Sequence, residues 1–228
     1  MLVLFTGGRG SGKSTIARTL YATLDAENFD YVHQSTWRAQ VNHTYQKIYW
    51  IAYFLAFFRP RVCSAFFGRL YRDIRHGRAK GSLSRIYMPC VFSYHLQRLL
   101  KNKEQCVIYD SDFFTWSADK VLYGIFDPHE VQDFYTYILK TYVSAITVVV
   151  CDTPVEDAVK RWSLRDNEPL SPDEILHWIE KRTAWKQARE KVIEVVSAVD
   201  GVKVVRLNGL DTPEENVHRI MTLLQKEL

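Results

Sequence analysis

Cysteine is scarce in this sequence, and what there is does not form a metal or disulfide pattern. Among 228 residues only Cys63, Cys90, Cys106 and Cys151 occur. They share no C-x-x-C spacing and have no histidine at metal-ligand spacing, so no structural zinc is expected and a reducing compartment is. Cys106 and Cys151 sit at the ends of apolar, strand-like runs, where a small buried thiol is the ordinary explanation. Internal repeats and low-complexity segments are lacking too. The chain opens on an apolar strand, so no signal peptide is expected and a cytoplasmic protein is. The apolar stretch from Ile48 to Phe58 would make a helix of only about 16 Å, too short to span a bilayer. Net charge is small, +4, with 47% hydrophobic and 25% charged residues, which fits one soluble globular domain over residues 1–228. That charge is uneven: between Arg59 and Arg85 eight basic residues oppose Asp73 alone, which leaves the rest of the chain at −3.

What is present begins with Gly7-Gly8-Arg9-Gly10-Ser11-Gly12-Lys13-Ser14-Thr15, placed straight after the apolar run Leu2–Phe5. It matches G-x-x-x-x-G-K-[ST], the loop that joins a buried strand to a helix and holds phosphate. Glycines let backbone N–H groups turn inward on phosphate oxygens, and the helix that follows points its positive end at the same anion. Gly7, Gly8, Gly10, Ser11, Gly12 and Thr15 line this cradle, Lys13 pairs with the β- and γ-phosphates, and Ser14 holds Mg²⁺. Ile16, Leu20 and Leu24 recur at helical spacing after the loop, the context the motif requires.

Further on, strand and helix alternate. Leu2–Phe5, Phe29–His33, Cys106–Tyr109, Ala145–Val150 and Val202–Leu207 are predicted strands, most of them continuous apolar runs, as in a parallel sheet covered on both faces. Four helix starts share one device, at Asp127-Pro128-His129-Glu130, Thr153-Pro154-Val155-Glu156, Ser171-Pro172-Asp173-Glu174 and Thr212-Pro213-Glu214-Glu215. Each places a capping residue, then proline at the first helical position, then glutamate at the third. The helix after Ser171 is predicted to run to about Val199.

Residues 36–105 separate the second and third strands by far more than a crossover needs, and read as a helical insertion that faces substrate or membrane. Within it Arg69, Arg72, Arg75 and Arg78 stand three apart and drift around one side of a helix. Three readings stay open for residues 48–85: a basic wall facing an anionic acceptor, with Arg72 and Arg75 foremost and Arg38 upstream; peripheral docking on a membrane surface; and, least favoured, nucleic-acid binding.

Two more constellations carry chemistry. Val107-Ile108-Tyr109-Asp110-Ser111-Asp112 is an apolar strand ending in aspartate, the usual arrangement for a carboxylate that organises Mg²⁺ beside the loop serine. Asp110 takes that role and Asp112 that of proton acceptor from an attacking hydroxyl, with the two assignments open to exchange. Arg161 and Arg165, four apart on the helix after Thr153, share a face near the polar stretch 166–171 and suit a lid over residues 161–172 that neutralises charge on a transferring phosphoryl group.

Together the loop, the strand-ending Asp110 and the lid arginines resemble the nucleoside monophosphate kinases of the P-loop class, thymidylate kinases above all. The resemblance covers the loop, the third strand, the lid and the C-terminal strand and helix. It implies a three-layer α/β sandwich with five parallel strands in order 2-3-1-4-5. It also implies ATP and Mg²⁺ as cofactors and phosphoryl transfer to a small, anionic acceptor, with Arg9, Arg161 and Arg165 stabilising the transferring group. The sequence differs from that family at Arg9, where a carboxylate is usual, at Ser111, where arginine follows the strand-three aspartate, and at His33–Arg38, where an Arg-Glu-Pro-Gly-like turn is usual. The acceptor therefore stays open among nucleotides, sugars and lipid-linked alcohols. A nucleotide-dependent switch on a membrane or partner is the alternative from another class, and a homodimer is compatible with the sequence.

Overall fold

The five apolar runs form one parallel sheet, in order β2-β3-β1-β4-β5. The structure is a computed structural model and describes residues 1–24, 29–33, 106–110, 113–165 and 170–224. Its elements are β1 (Leu2–Thr6), α1 (Lys13–Thr23), β2 (Phe29–His33), β3 (Cys106–Asp110), α2 (Phe113–Leu122), α3 (Pro128–Thr141), β4 (Ile146–Asp152), α4 (Val155–Arg165), α5 (Pro172–Ser197), β5 (Val202–Asn208) and α6 (Pro213–Leu224). The strand order and the five strand positions agree with the sequence. Four strands run one or two residues past the apolar runs, to Thr6, Asp110, Asp152 and Asn208, because pairing with neighbours continues there, as between Phe5 and Asp110 or Asp152 and Asn208.

Two cores follow from the alternation of side chains along buried strands. Leu2, Leu4, Val107, Tyr109, Val148 and Val150 meet one layer of helices through Phe114, Tyr135, Ile138, Val192 and Val196. Val3, Phe5, Ile108 and Val149 meet the other through Ile16, Ala17, Leu20, Val217 and Ile220. Burial of Ile16 and Leu20, worth about 1.5–3 kcal/mol each, pins α1 to the sheet and so fixes the start of that helix behind the phosphate loop.

Three of the four helix starts form the expected reciprocal caps. Asp127 and Ser171 exchange hydrogen bonds with Glu130 and Glu174, with proline at the helix entrance. Thr212 does the same with Glu215, whose amide donates to the threonine hydroxyl at 3.3 Å. At the fourth, the Thr153 hydroxyl donates to a partner far away in the chain, as described below. The insertion over 36–105, with Arg38, Arg72 and Arg75, and the stretch 48–85 lie outside the described residues, as do Asp112, the side chain of Arg165 and residues 166–169 of the lid. Among the described residues no helix is long and apolar enough to cross a membrane.

At the end of β4 an ion network ties α5 to the sheet. Arg189, only 2% exposed, donates to Asp152 and to Glu190, and Arg206 of β5 bridges the same two carboxylates. Burial works against the charge on Asp152, but Arg189, Arg206 and Lys186 outweigh it and hold its carboxyl below the usual range. A carboxylate with a depressed folded pKa contributes stability that is present above its ordinary value of about 4 and lost as pH falls through the folded value. Asp152→Ala should lower unfolding free energy near neutral pH by roughly 2 kcal/mol, since it leaves a buried guanidinium short of a partner. The difference from wild type should shrink as unfolding is measured at progressively lower pH below about 4. A gap that stays constant through that range would mean that charge is not what Asp152 contributes.

Candidate phosphate-binding site

The loop from Gly7 to Ser14 leaves the carboxyl end of β1 and enters α1, whose first residue is Lys13. It is pressed between the ends of β4, β5 and α4. Gly10 adopts φ +82°, and a Cβ there would stand 2.0 Å from the Ala158 carbonyl oxygen on α4. Both facts demand glycine: the backbone is left-handed and there is no room for a side chain. Gly12, also at positive φ, is the N-cap of α1, and its carbonyl accepts from the amides of Thr15 and Ile16 at 3.0 Å.

The loop is held by a residue the sequence placed in another role. Thr153 Oγ1 donates to the Ser11 carbonyl at 3.1 Å, across 142 residues of chain, from a side chain only 6% exposed. Gly209, in the turn after β5, closes over the same threonine: a Cβ there would meet Thr153 Oγ1 at 1.8 Å and the Ser11 carbonyl at 3.0 Å. The Gly209 amide donates to the Asp152 carbonyl at 2.8 Å, and its carbonyl accepts from Arg161 Nη1 at 2.8 Å. The β4–α4 junction, the β5–α6 turn and the phosphate loop therefore share one backbone junction.

Asp110 ends β3, the strand next to the one that leads into the loop. Its partner in register on β1 is Phe5, two residues before Gly7, and its side chain is buried at 1% exposure. Tyr31 of β2 lies beside it: burial first, and then the Asp110 carboxylate, push the phenol up to about 12, against a smaller opposing effect of Arg18. Tyr31 also stacks on Tyr21 of α1, with ring centroids 5.4 Å apart. Ser14 begins α1 on the loop side, next to Lys13. Arg9 is exposed, with its guanidinium 5.4 Å from the ring centroid of Trp162 on α4. Arg161 donates to the Gly209 carbonyl, in the turn after β5.

Thr153 and Gly209 carry a sequence signal only in hindsight. Thr153 follows the last residue of β4 directly, so its side chain starts at the strand's carboxyl edge, where ligands bind in open α/β sheets. Gly209 stands alone between a strand and a capped helix, the usual mark of a close backbone approach.

Solved structures of similar fold agree with this architecture. A deoxyadenosine kinase from M. mycoides with bound dATP has a TM-score of 0.50 to this chain at 16% identity, covering 99% of this chain and 100% of its own. The YorR protein from Bacillus subtilis, in complex with phosphorylated GDP, has a TM-score of 0.50 at 14% identity, covering 100% and 97%. At such identities the likeness concerns the fold alone, which is the P-loop kinase α/β fold with its sheet in order 2-3-1-4-5. No family model and no curated protein matches the sequence.

Thr153→Val keeps the side-chain volume but removes the proton that holds Ser11. We expect a stability loss of about 1 kcal/mol in denaturant unfolding, together with weaker nucleotide binding in an equilibrium titration. Thr222→Val, which removes an exposed hydroxyl bonded to its own helix at 2.9 Å, should change neither. Equal behaviour of the two variants would deny Thr153 its hold on the loop.

Proposed function

We propose that the chain transfers the γ-phosphoryl group of Mg-ATP to a hydroxyl or phosphate of a small anionic or nucleoside-type acceptor. The observation that carries this reading is the pairing of a glycine-rich loop, left-handed at Gly10 and Gly12, with a buried carboxylate on the adjacent strand. A glycine-rich turn that leads into a helix suits a ligand held by backbone N–H groups, and a triphosphate at a helix N-terminus is such a ligand. The donor set of Ser14 hydroxyl and Asp110 carboxylate fits a hard divalent cation. Mg²⁺ bound there would neutralise charge on the β- and γ-phosphate oxygens.

The remaining roles belong to the chain's own side chains. The Lys13 ammonium would pair with the β- and γ-phosphates, while the amides of Gly8, Gly10, Ser11, Gly12 and Thr15 would orient them. As the acceptor oxygen bonds to the γ-phosphorus, the bond from that phosphorus to the β–γ bridging oxygen breaks and ADP leaves. A hydroxyl acceptor would give its proton to Asp112, and Asp110 would keep the phosphates aligned. Arg9, Arg161 and Arg165 would stabilise the charge that builds on the transferring group, the first from the Trp162 side and the second from the Gly209 side. Arg38, Arg72 and Arg75 would face the anionic part of the acceptor. Deoxynucleosides and nucleoside monophosphates are the first acceptors to test, followed by sugars and polyprenol-type alcohols.

A second reading keeps nucleotide binding and drops the acceptor: a switch that docks on a membrane surface through residues 48–85. The charge concentrated between Arg59 and Arg85, next to the apolar stretch 48–58, favours it. A kinase releases ADP faster when one acceptor is added, whereas a switch hydrolyses ATP slowly whatever is added.

Lys13→Ala should abolish ADP release while the thermal melt stays within a few degrees of wild type, because the lysine serves phosphates and not the core. Asp110→Asn should raise the Mg²⁺ concentration needed for half-maximal turnover. Full turnover by Lys13→Ala at saturating ATP would refute the donor-site assignment.

A further inference from the structure

A second guanidinium approaches the loop from the long helix. Arg182, midway along α5, brings Nη1 to 3.8 Å from the position a Cβ would take on Gly8. Its guanidinium lies 5.7 Å from the ring centroid of Trp162 and 5.8 Å from that of Trp178, and these two rings pack edge to face with centroids 4.8 Å apart. Arg9, on the loop itself, lies over the same Trp162 ring at 5.4 Å. Two cations thus meet on one indole at the entrance of a phosphate loop.

Like charges that share one ring repel unless something anionic joins them. Burial and then the positive charge of Arg9 disfavour the charged form of Arg182, and Asp119 of α2 offsets only part of this. Among the described residues neither Arg9 nor Arg182 makes a salt bridge of 4.0 Å or less, in contrast to Arg189, Arg206 and Arg219, each of which has a carboxylate partner. An aromatic face holds a guanidinium through its charge and leaves the N–H edge able to donate, and that edge matches phosphate oxygens in pairs. Trp178 and Arg182 are four residues apart on α5, so ring and cation share one helical face.

We infer that Arg182 and Arg9 form a two-guanidinium clamp on a phosphate group held at the entrance of the loop, backed by Trp162 and Trp178. This rests on the reading of the loop as a nucleoside triphosphate site and adds a catalytic residue to it. The phosphate is either the terminal one of the donor or one carried by the acceptor, and the chemistry that recognises it is the same.

Calorimetric titration of wild type, Arg182→Ala and Arg182→Lys with ADP and with the non-hydrolysable triphosphate AMP-PNP, both with Mg²⁺, tests this directly. A clamp on the donor's terminal phosphate predicts ADP affinity little changed in Arg182→Ala and AMP-PNP affinity lowered by about tenfold or more, with lysine restoring part of the loss. A clamp on the acceptor's phosphate predicts an unchanged AMP-PNP to ADP ratio and a comparable loss of affinity for dAMP titrated into the ADP-saturated chain. Unchanged affinity for all three probes would overturn the clamp. So would an equal loss of ADP and AMP-PNP accompanied by a lowered melting temperature, which is the mark of a packing residue. Lys13→Ala in the same titration separates the two levels: if it binds AMP-PNP like wild type, the triphosphate reading itself fails, whereas a Lys13 defect with an indifferent Arg182 sinks the clamp alone.

Discussion

The contact of Thr153 with the Ser11 carbonyl is the constraint around which the rest of the site is arranged. A single hydrogen bond of this kind contributes only about 1 kcal/mol. Its consequence is geometric. It requires the phosphate loop to lie against the ends of β4 and β5, and that closeness is allowed only where Gly10 meets Ala158 and Gly209 meets Thr153 without side chains. The left-handed backbone at Gly10 would cost a non-glycine residue on the order of 1–3 kcal/mol even in open space. The loop is therefore pre-shaped by the sheet behind it, and binding a phosphate need not order it.

The junction also adjoins an ion network that fixes α5. Behind β4, Asp152 and Glu190 are each shared between Arg189 and Arg206, which fastens α5 to the sheet. About two turns from Arg189 toward its N-terminus the same helix carries Arg182 to the loop, with Trp178 one turn beyond. A guanidinium aimed from a helix anchored in this way is held in place before any ligand arrives, which is the condition for stabilising charge that develops during a transfer. Arg161 is tied to the β5–α6 turn through Gly209.

Much of this was legible in the sequence because it rests on local signals. Buried parallel strands read as continuous apolar runs, so all five were found, and Ser171-Pro172-Asp173-Glu174 marked the start of a 26-residue helix by its own cap. The loop was legible because its chemistry lies within nine consecutive residues. What could not be read depends on partners distant in the chain. Thr153 carries the same four-residue cap pattern as Ser171 and Thr212, and only the packing of β4 beside the loop gives its hydroxyl the Ser11 carbonyl as partner. Arg161 was read as a lid residue from its spacing with Arg165, while its bond to Gly209 spans 48 residues. Arg182 lies on a helix whose surface is rich in Lys, Arg and Glu, where nothing local separates a cation that meets phosphate from one that meets water. Helix α2 was missed because Phe113–Leu122 has neither a proline-marked entrance nor a glutamate cap.

The central claim is that the amides between Gly8 and Thr15 receive the phosphates of a nucleotide. Hydrogen exchange on the intact chain, with and without Mg-ATP, measures this at the groups concerned. The account predicts that nucleotide slows exchange most strongly in the peptide covering the loop and the first turn of α1, with a smaller effect at the β5–α6 turn around Gly209. Nucleotide binding that protects other segments and leaves the exchange of residues 8–15 unchanged would contradict it.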